Sequence, residues 1–162
     1  MSPPSPLDLF LEKMNEDLKN EWTHLKYYLY HASAVTGLHA CEYKEFLTEA
    51  AEGEMKHVQQ FMDRLWGMNF PQPNQNNHAF PVYQRIEDIL LGAVELETQV
   101  VENYAKRLTQ LDELATFMPT ESAYLKVFYE DQLQDSYEDA EKMKRMLRGI
   151  ALVVPRVRSD MV

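Results

Sequence analysis

Cysteine is almost missing from this chain. Cys41 stands alone, which excludes an intrachain disulfide framework. Metal ligands, if there are any, must then be histidines and carboxylates, a set that suits iron, manganese or zinc without choosing among them. Glycine is scarce as well, with five in 162 residues, and no run alternates apolar and polar residues as a half-buried strand does. No stretch approaches the roughly 18 apolar residues that would span a membrane. Positive charge is in deficit: 16 Lys and Arg stand against 26 Asp and Glu, for a net charge of −10. That balance argues against a nucleic-acid partner held through its phosphates and favours the attraction of cations. The Ser2–Pro6 stretch has no basic segment followed by an apolar core, so a secretory leader is not expected and the cytoplasm is the expected compartment.

What is present is helical periodicity. Apolar residues recur at three- and four-residue intervals over four long stretches, the pattern of helices with one buried face. The first helix is predicted from Pro6 or Leu7 to about Thr36, with Gly37 as its stop, and the second from Ala40 to Trp66 or Gly67. The third should run from about Tyr83 to Leu111, and the fourth from just after Pro119 and Thr120 to about Ile150. Between the second and third lies a Pro- and Asn-rich segment, Met68 to Pro81, without helical period. Its Phe70 and Phe80 suggest that it packs on the bundle. The predicted organisation is a flexible tail over 1–6, an all-α four-helix bundle over 7–150 with one long crossover, and a C-terminal tail over 151–162 that Pro155 keeps from forming a long helix.

The apolar stripes are interrupted in one way. Leu11, Met14, Leu18, Leu25, Tyr28, Ala32 and Val35 share their face with Glu21. Tyr43, Leu47, Ala50, Phe61 and Leu65 share theirs with Glu54 and His57, within Glu54-Met55-Lys56-His57. Ile86, Leu90, Ala93, Val100, Tyr104 and Leu111 share theirs with Glu97. Each acid sits near mid-helix, so in an antiparallel bundle the three converge. Buried carboxylates are costly unless paired or bound to a metal, and Glu-x-x-His aimed into a bundle is how carboxylate-bridged dinuclear sites are built. The alternatives are a buried polar layer, or helices rotated so that the acids reach solvent.

These residues resemble the ferritin superfamily, its ferritin and bacterioferritin branch, over about Leu7 to Ile150. The intervals Glu21 to Glu54 and Glu21 to Glu97 match that branch. So do the Glu54-Met55-Lys56-His57 motif and the Leu96-Glu97-Thr98-Gln99-Val100 segment. The resemblance implies a ferritin-like bundle in which Glu21 binds one iron, Glu54 bridges two, His57 completes the first and Glu97 binds the second. Tyr28 matches a tyrosine beside the iron centre, there to hydrogen-bond or to supply an electron; an ordinary core tyrosine is the other reading. The fourth helix departs from the pattern, because it has no histidine where bacterioferritins carry a second Glu-x-x-His. Glu130, Gln132, Asp135 and Glu138 are the candidates. Glu130 has the family spacing but would turn Lys126, Glu141 and Lys144 inward. The stripe Leu125, Tyr129, Gln132, Ser136, Ala140, Met143, and the likeness of Asp131-Gln132-Leu133 to a segment of animal ferritins, select Gln132, with Asp135 one turn on.

The remaining histidines have weaker claims. Glu21-x-x-His24 is a second Glu-x-x-His, on a helix where these families do not normally carry one. It either flanks the site or, as the preferred reading, leaves His24 as a partly exposed polar residue. His31, His39 and His78 are read as surface residues. Met55 holds the position at which bacterioferritins ligate haem between subunits, but haem is not expected here. The resemblance thus implies a dinuclear iron cofactor and a ferroxidase that oxidises Fe(II) with O2 or H2O2, for iron storage or detoxification. A homo-oligomer, with a cage as one form, is the expected assembly, with no nucleic-acid or membrane partner. A rubrerythrin-like peroxide reductase, another di-metal oxidase, or a mini-ferritin-type protective protein are the alternatives.

Overall fold

The computed structural model describes residues 2–151; the C-terminal tail over 152–162 lies outside them. Among the described residues there are four helices and no strand: α1 (Pro6–Ala34), α2 (Ala40–Gly67), α3 (Ile86–Leu114) and α4 (Pro119–Ala151). No described helix is long and apolar enough to cross a membrane.

Local chemistry sets the helix ends. Ser5 caps α1 by accepting from the Asp8 backbone N–H, while the Asp8 carboxylate accepts from the Ser5 N–H. Two free N–H groups are thereby satisfied reciprocally, and Pro6 occupies the first turn, where its missing N–H costs nothing. Gly37, at φ +111°, turns the chain after α1, a conformation that a Cβ would strain. α1 stops two residues short of Thr36 because the Thr36 N–H and hydroxyl are both given to the Gln84 carbonyl, at 2.9 and 3.2 Å. α3 starts at Ile86 rather than Tyr83 for the same reason: residues 83 and 84 are bonded to the end of α1.

The crossover determines the topology. The Asn15 side chain accepts from the Asn74 N–H at 2.7 Å, and Trp22 Nε1 donates to the Asn74 carbonyl at 2.6 Å. Thr23 Oγ1 accepts from the His78 N–H, Lys26 Nζ donates to Asn77 Oδ1, and His31 Nε2 accepts from the Tyr83 N–H. Partners advance together along both segments, so the crossover runs alongside α1 in the same direction. It therefore returns the chain to the far end of the bundle. α3 is parallel to α2, and the order is up, down, down, up, the one-crossover arrangement. Phe70 and Phe80 pack against the core.

His31 is fully buried rather than on the surface, contrary to its sequence reading. Its Nδ1–H donates to the Tyr27 carbonyl at 2.8 Å while Nε2 accepts from Tyr83, and its ring lies among Tyr27, Phe80 and Tyr83. Burial holds its pKa below the ordinary value, outweighing the Tyr27 carbonyl, as the acceptor role requires. His39 and His78 are exposed, as expected. Nearby, the Tyr27 hydroxyl donates to the Ile89 carbonyl at 2.7 Å and passes directly over Gly92. A Cβ at 92 would overlap that hydroxyl and lie 3.1 Å from the Tyr83 ring. Gly92→Ala is expected to lower stability by about 1–3 kcal/mol, the range for overpacking. Adding Tyr27→Phe should recover part of the loss. Urea denaturation of the single and double variants checks this, and a neutral single variant would show that the contact yields freely.

Candidate metal centre

The apolar stripes bury their acids as their spacing demands. On α1, Met14, Leu18, Leu25 and Tyr28 are buried, and Glu21 with them. Leu47, Phe61 and Leu65 accompany Glu54 and His57 on α2, and Leu90, Ala93, Val100 and Tyr104 accompany Glu97 on α3. Glu21 and Glu97 have no exposed surface at all, and Glu54 is 2% exposed. The three carboxylates meet at mid-bundle.

His57 Nδ1 lies 3.2 Å from Glu54 Oε2 and 3.6 Å from Glu21 Oε2. On the other side of Glu54, His24 Nδ1 lies 3.4 Å from Glu97 Oε1 and 4.0 Å from Glu54 Oε1. His24 is 2% exposed, which overturns its reading as a partly exposed residue. Two groups of donors result: Glu21, Glu54 and His57, and His24, Glu54 and Glu97, with the atoms of each group within 4.8 Å of one another. Glu54 belongs to both.

A surrounding layer of hydrogen bonds aims these groups. The Tyr28 hydroxyl donates to Glu97 Oε1 at 2.9 Å, and the Tyr104 hydroxyl donates to Glu21 Oε1. His57 Nε2 faces Asp135 Oδ2 at 3.4 Å. Asp135 therefore reaches the far nitrogen of His57 rather than standing among the central carboxylates. Gln132 is buried, and its amide donates to Gln60 Oε1 at 2.7 Å, leaving its own Oε1 without a partner. Met55, next to Glu54, points outward and is exposed. Below the centre, the Tyr104 and Tyr129 rings meet edge to face. The Tyr129 hydroxyl donates to Asp17 Oδ2 at 2.7 Å, and Arg107 grips the same carboxylate with two N–H groups, at 2.9 and 3.1 Å.

Electrostatics separate the carboxylates. Burial drives Glu54 well above the ordinary carboxylate range, and the adjacent Glu97 and Glu21 drive it further. Burial acts on Glu21 the same way. The polar and charge interactions with His57 first, then with the protonated Glu54 and with His24, outweigh it, bringing Glu21 down to about 2. Burial opposes the charge on His57, but Glu21 leads a set of acids that raise it to about 9. The metal-free centre thus holds protons where cations could sit.

The donor set fits metal ions. Glu21 Oε2, Glu97 Oε2 and His24 Nδ1 are buried without any hydrogen-bond partner, a state native proteins seldom leave unfilled. Donor separations of 3.2 to 3.6 Å are those of two ligands on one ion at about 2.1 Å. Asp135 behind His57 is the carboxylate–histidine arrangement that orients a metal-binding imidazole. The sequence carries no signal that marks Tyr104 or Asp139 as site residues. Tyr104 reads as one more apolar stripe position, and Asp139 sits at the rim of the helix face. Although much of its surface is exposed, partial desolvation of its carboxyl and the charge of Glu97 push Asp139 up to about 6. It lines a small cavity of about 120 Å³ with Tyr28, Gly53 and Met143.

Comparison with known proteins agrees with this architecture. No curated protein matches the chain. Among solved structures, a protein of Bacillus anthracis str. Ames described as a ferritin-like, diiron-carboxylate protein superposes with a TM-score of 0.78 at 22% identity, covering 91% of this chain and 99% of that one. At that identity the likeness establishes the fold. The model of the ferritin-like domain matches residues 11–153, nearly the whole bundle with all three buried glutamates, and the chain therefore belongs to the ferritin-like domain family.

Proposed function

We propose that this protein is a ferroxidase, binding two Fe(II) ions as substrate within one chain and passing one electron from each to O2 or H2O2. The observation that carries the reading is Glu54, a buried carboxylate shared between two donor groups that each include an imidazole and a further glutamate. Dense carboxylate ligation stabilises the higher charge of Fe(III) and so favours loss of the electron. The electrons balance as two Fe(II) to two Fe(III) against O2 plus two protons to H2O2, or H2O2 plus two protons to two waters.

The chain's own groups prepare this step. Glu54 would be shared by the two ions, with Glu21 and His57 holding one and Glu97 and His24 the other. Tyr104 and Tyr28 hold those glutamates by one oxygen each and leave the other free. Asp135 keeps His57 turned with Nδ1 inward. Entry of cations displaces the protons on His57 and Glu54, since ligands bind deprotonated.

Two measurements test the reading. Oxidation of Fe(II) under air should saturate at two ions per chain and exceed the rate in protein-free buffer; equality with buffer would refute it. Loading with Zn(II) near pH 7 should release protons into a weakly buffered solution, and affinity should fall as pH is lowered, because His57, raised to about 9, is protonated there. Uptake without proton release would contradict the assigned ligands.

We place the protein as a homo-oligomer in the cytoplasm, serving storage or detoxification of iron. Leu29 and Tyr30 on α1 and Met55 and Trp66 on α2 are exposed, apolar surface that a second copy would cover. The exposed, free Cys41 suits a reducing compartment.

A further inference from the structure

The chain repeats one motif. Glu21-x-x-His24 on α1 and Glu54-x-x-His57 on α2 lie on adjacent antiparallel helices, and the structure crosses their partners. The glutamate of the first pair sits beside the histidine of the second, with Glu21 Oε2 3.6 Å from His57 Nδ1. The histidine of the first pair sits on the opposite side of Glu54, 3.4 Å from Glu97. α4, in contrast, contains no histidine, and its Asp135 and Asp139 are exposed at the bundle rim.

We propose that His24 is the imidazole ligand of the second metal position, completed by Glu97 and the shared Glu54, so that both positions are built from α1, α2 and α3 without a ligand from α4. The inference deepens the dinuclear reading above and rests on it. Three observations carry it. His24 is almost wholly buried, and its Nδ1 faces two carboxylates without a hydrogen bond to either. Glu97 Oε2 is likewise buried and unpartnered. A cation held by His24 Nδ1 and the Glu97 carboxylate gives the imidazole the partner it lacks, whereas a structural imidazole would be expected to satisfy its nitrogen with a protein acceptor. The third is the match between the two groups: each offers one imidazole, one terminal carboxylate and one oxygen of Glu54. Tyr28 holds Glu97 as Tyr104 holds Glu21, so even the surrounding hydrogen bonds are paired. Two positions with such similar donor sets should bind two ions of one kind with similar affinity, rather than one tightly and one loosely.

Co(II) titration followed by visible absorption and by calorimetry tests this without reference to oxidation. The unaltered protein should take up two ions per chain. His24→Gln should retain one and weaken the other at least tenfold, while Gln132→Leu on α4 should still take up two. A second variant reads contact directly. In a Cys41→Ser background, His24→Cys loaded with Co(II) should show a near-ultraviolet thiolate-to-metal band, absent from Cys41→Ser alone. Two full-affinity ions in His24→Gln, loss of an ion in Gln132→Leu, or no thiolate band in a folded His24→Cys would each overturn the assignment of His24. Failure of the unaltered protein to bind two ions would instead overturn the dinuclear reading beneath it.

Discussion

Glu54→Gln should all but abolish Fe(II) oxidation and at the same time make the metal-free protein more stable. Glutamine keeps the shape of the side chain, so no cavity opens, but it cannot bridge two cations. The gain in stability follows from proton linkage. Glu54 has its pKa raised from an ordinary 4.5 by burial and by Glu97 and Glu21, so the folded chain keeps this proton after the unfolded chain has released it. The stability Glu54 contributes is fully present below 4.5 and is lost as pH rises above it. Glutamine does not titrate, so the advantage of the variant should widen from pH 5 to pH 8. Each kcal/mol gained raises the melting temperature by roughly 2–4 °C in a chain of this size. Glu21→Gln should behave oppositely. With Glu21 at about 2, its stabilising contribution is present above 4.5 and is lost as pH falls toward 2, so its removal lowers metal-free stability at neutral pH. Melting curves at pH 5 and pH 8, with stopped-flow oxidation, check both variants. An undiminished oxidation rate in Glu54→Gln would remove Glu54 from the centre. A fall in metal-free stability would make it the anchor of a structural polar layer.

The largest loss of stability is expected from Arg107→Met. Asp17 is fully buried and depends on Arg107 and Tyr129 for its hydrogen bonds. Removing one member of a buried ion pair typically costs about 3–5 kcal/mol, because the other charge is left without compensation. Burial already raises Asp17 to about 6 despite the guanidinium, so its contribution declines as pH rises from 3.8 to about 6. Without Arg107 the pKa rises further and the decline continues to higher pH. The cost of the variant should therefore be small near pH 5 and large at pH 8. Adding Asp17→Asn should restore most of it, since an amide oxygen still accepts from Tyr129. Chemical denaturation at the two pH values decides the matter. A cost independent of pH, or a double variant no better than the single, would show that the arginine acts through its packing alone.

The contrast between Glu21 and Asp17 also shows what the sequence could carry. Glu21, Glu54 and Glu97 are legible because each replaces an apolar residue at the centre of a clean stripe, and a stripe states directly which way its members face. His57 follows from Glu54 by helical geometry. Asp17 is one turn before Glu21, yet its partner Arg107 lies 90 residues away, on a helix whose rotation no local pattern specifies. His24 and His31 flank the α1 stripe, and side chains at such margins are buried or exposed according to what packs beside them. For His31 that neighbour is the crossover, whose extended course along α1 rests on single hydrogen bonds with no periodic signature. α4 is the hardest case, because Gln132, Ser136 and Ala140 form a stripe of weak contrast. Asp135 gains its place only through the orientation of the His57 ring.

The four helices pair as neighbours in sequence, α1 with α2 and α3 with α4, so each hairpin is assembled from local contacts of the kind that form early. The centre is divided between them. Glu21, His24, Glu54 and His57 belong to the first hairpin, and Glu97 and Asp135 to the second. An ion held at Glu54 and Glu97 is therefore a clasp across the seam, and it exists only while the hairpins are docked. At a hundred times its dissociation constant, such an ion resists their separation by about 2.7 kcal/mol. If the centre binds metal as proposed, the lifetime of the chain against proteases that attack the opened form would become a function of metal supply. Newly made protein in a metal-starved cell would be turned over, and the same protein in a metal-replete one would persist.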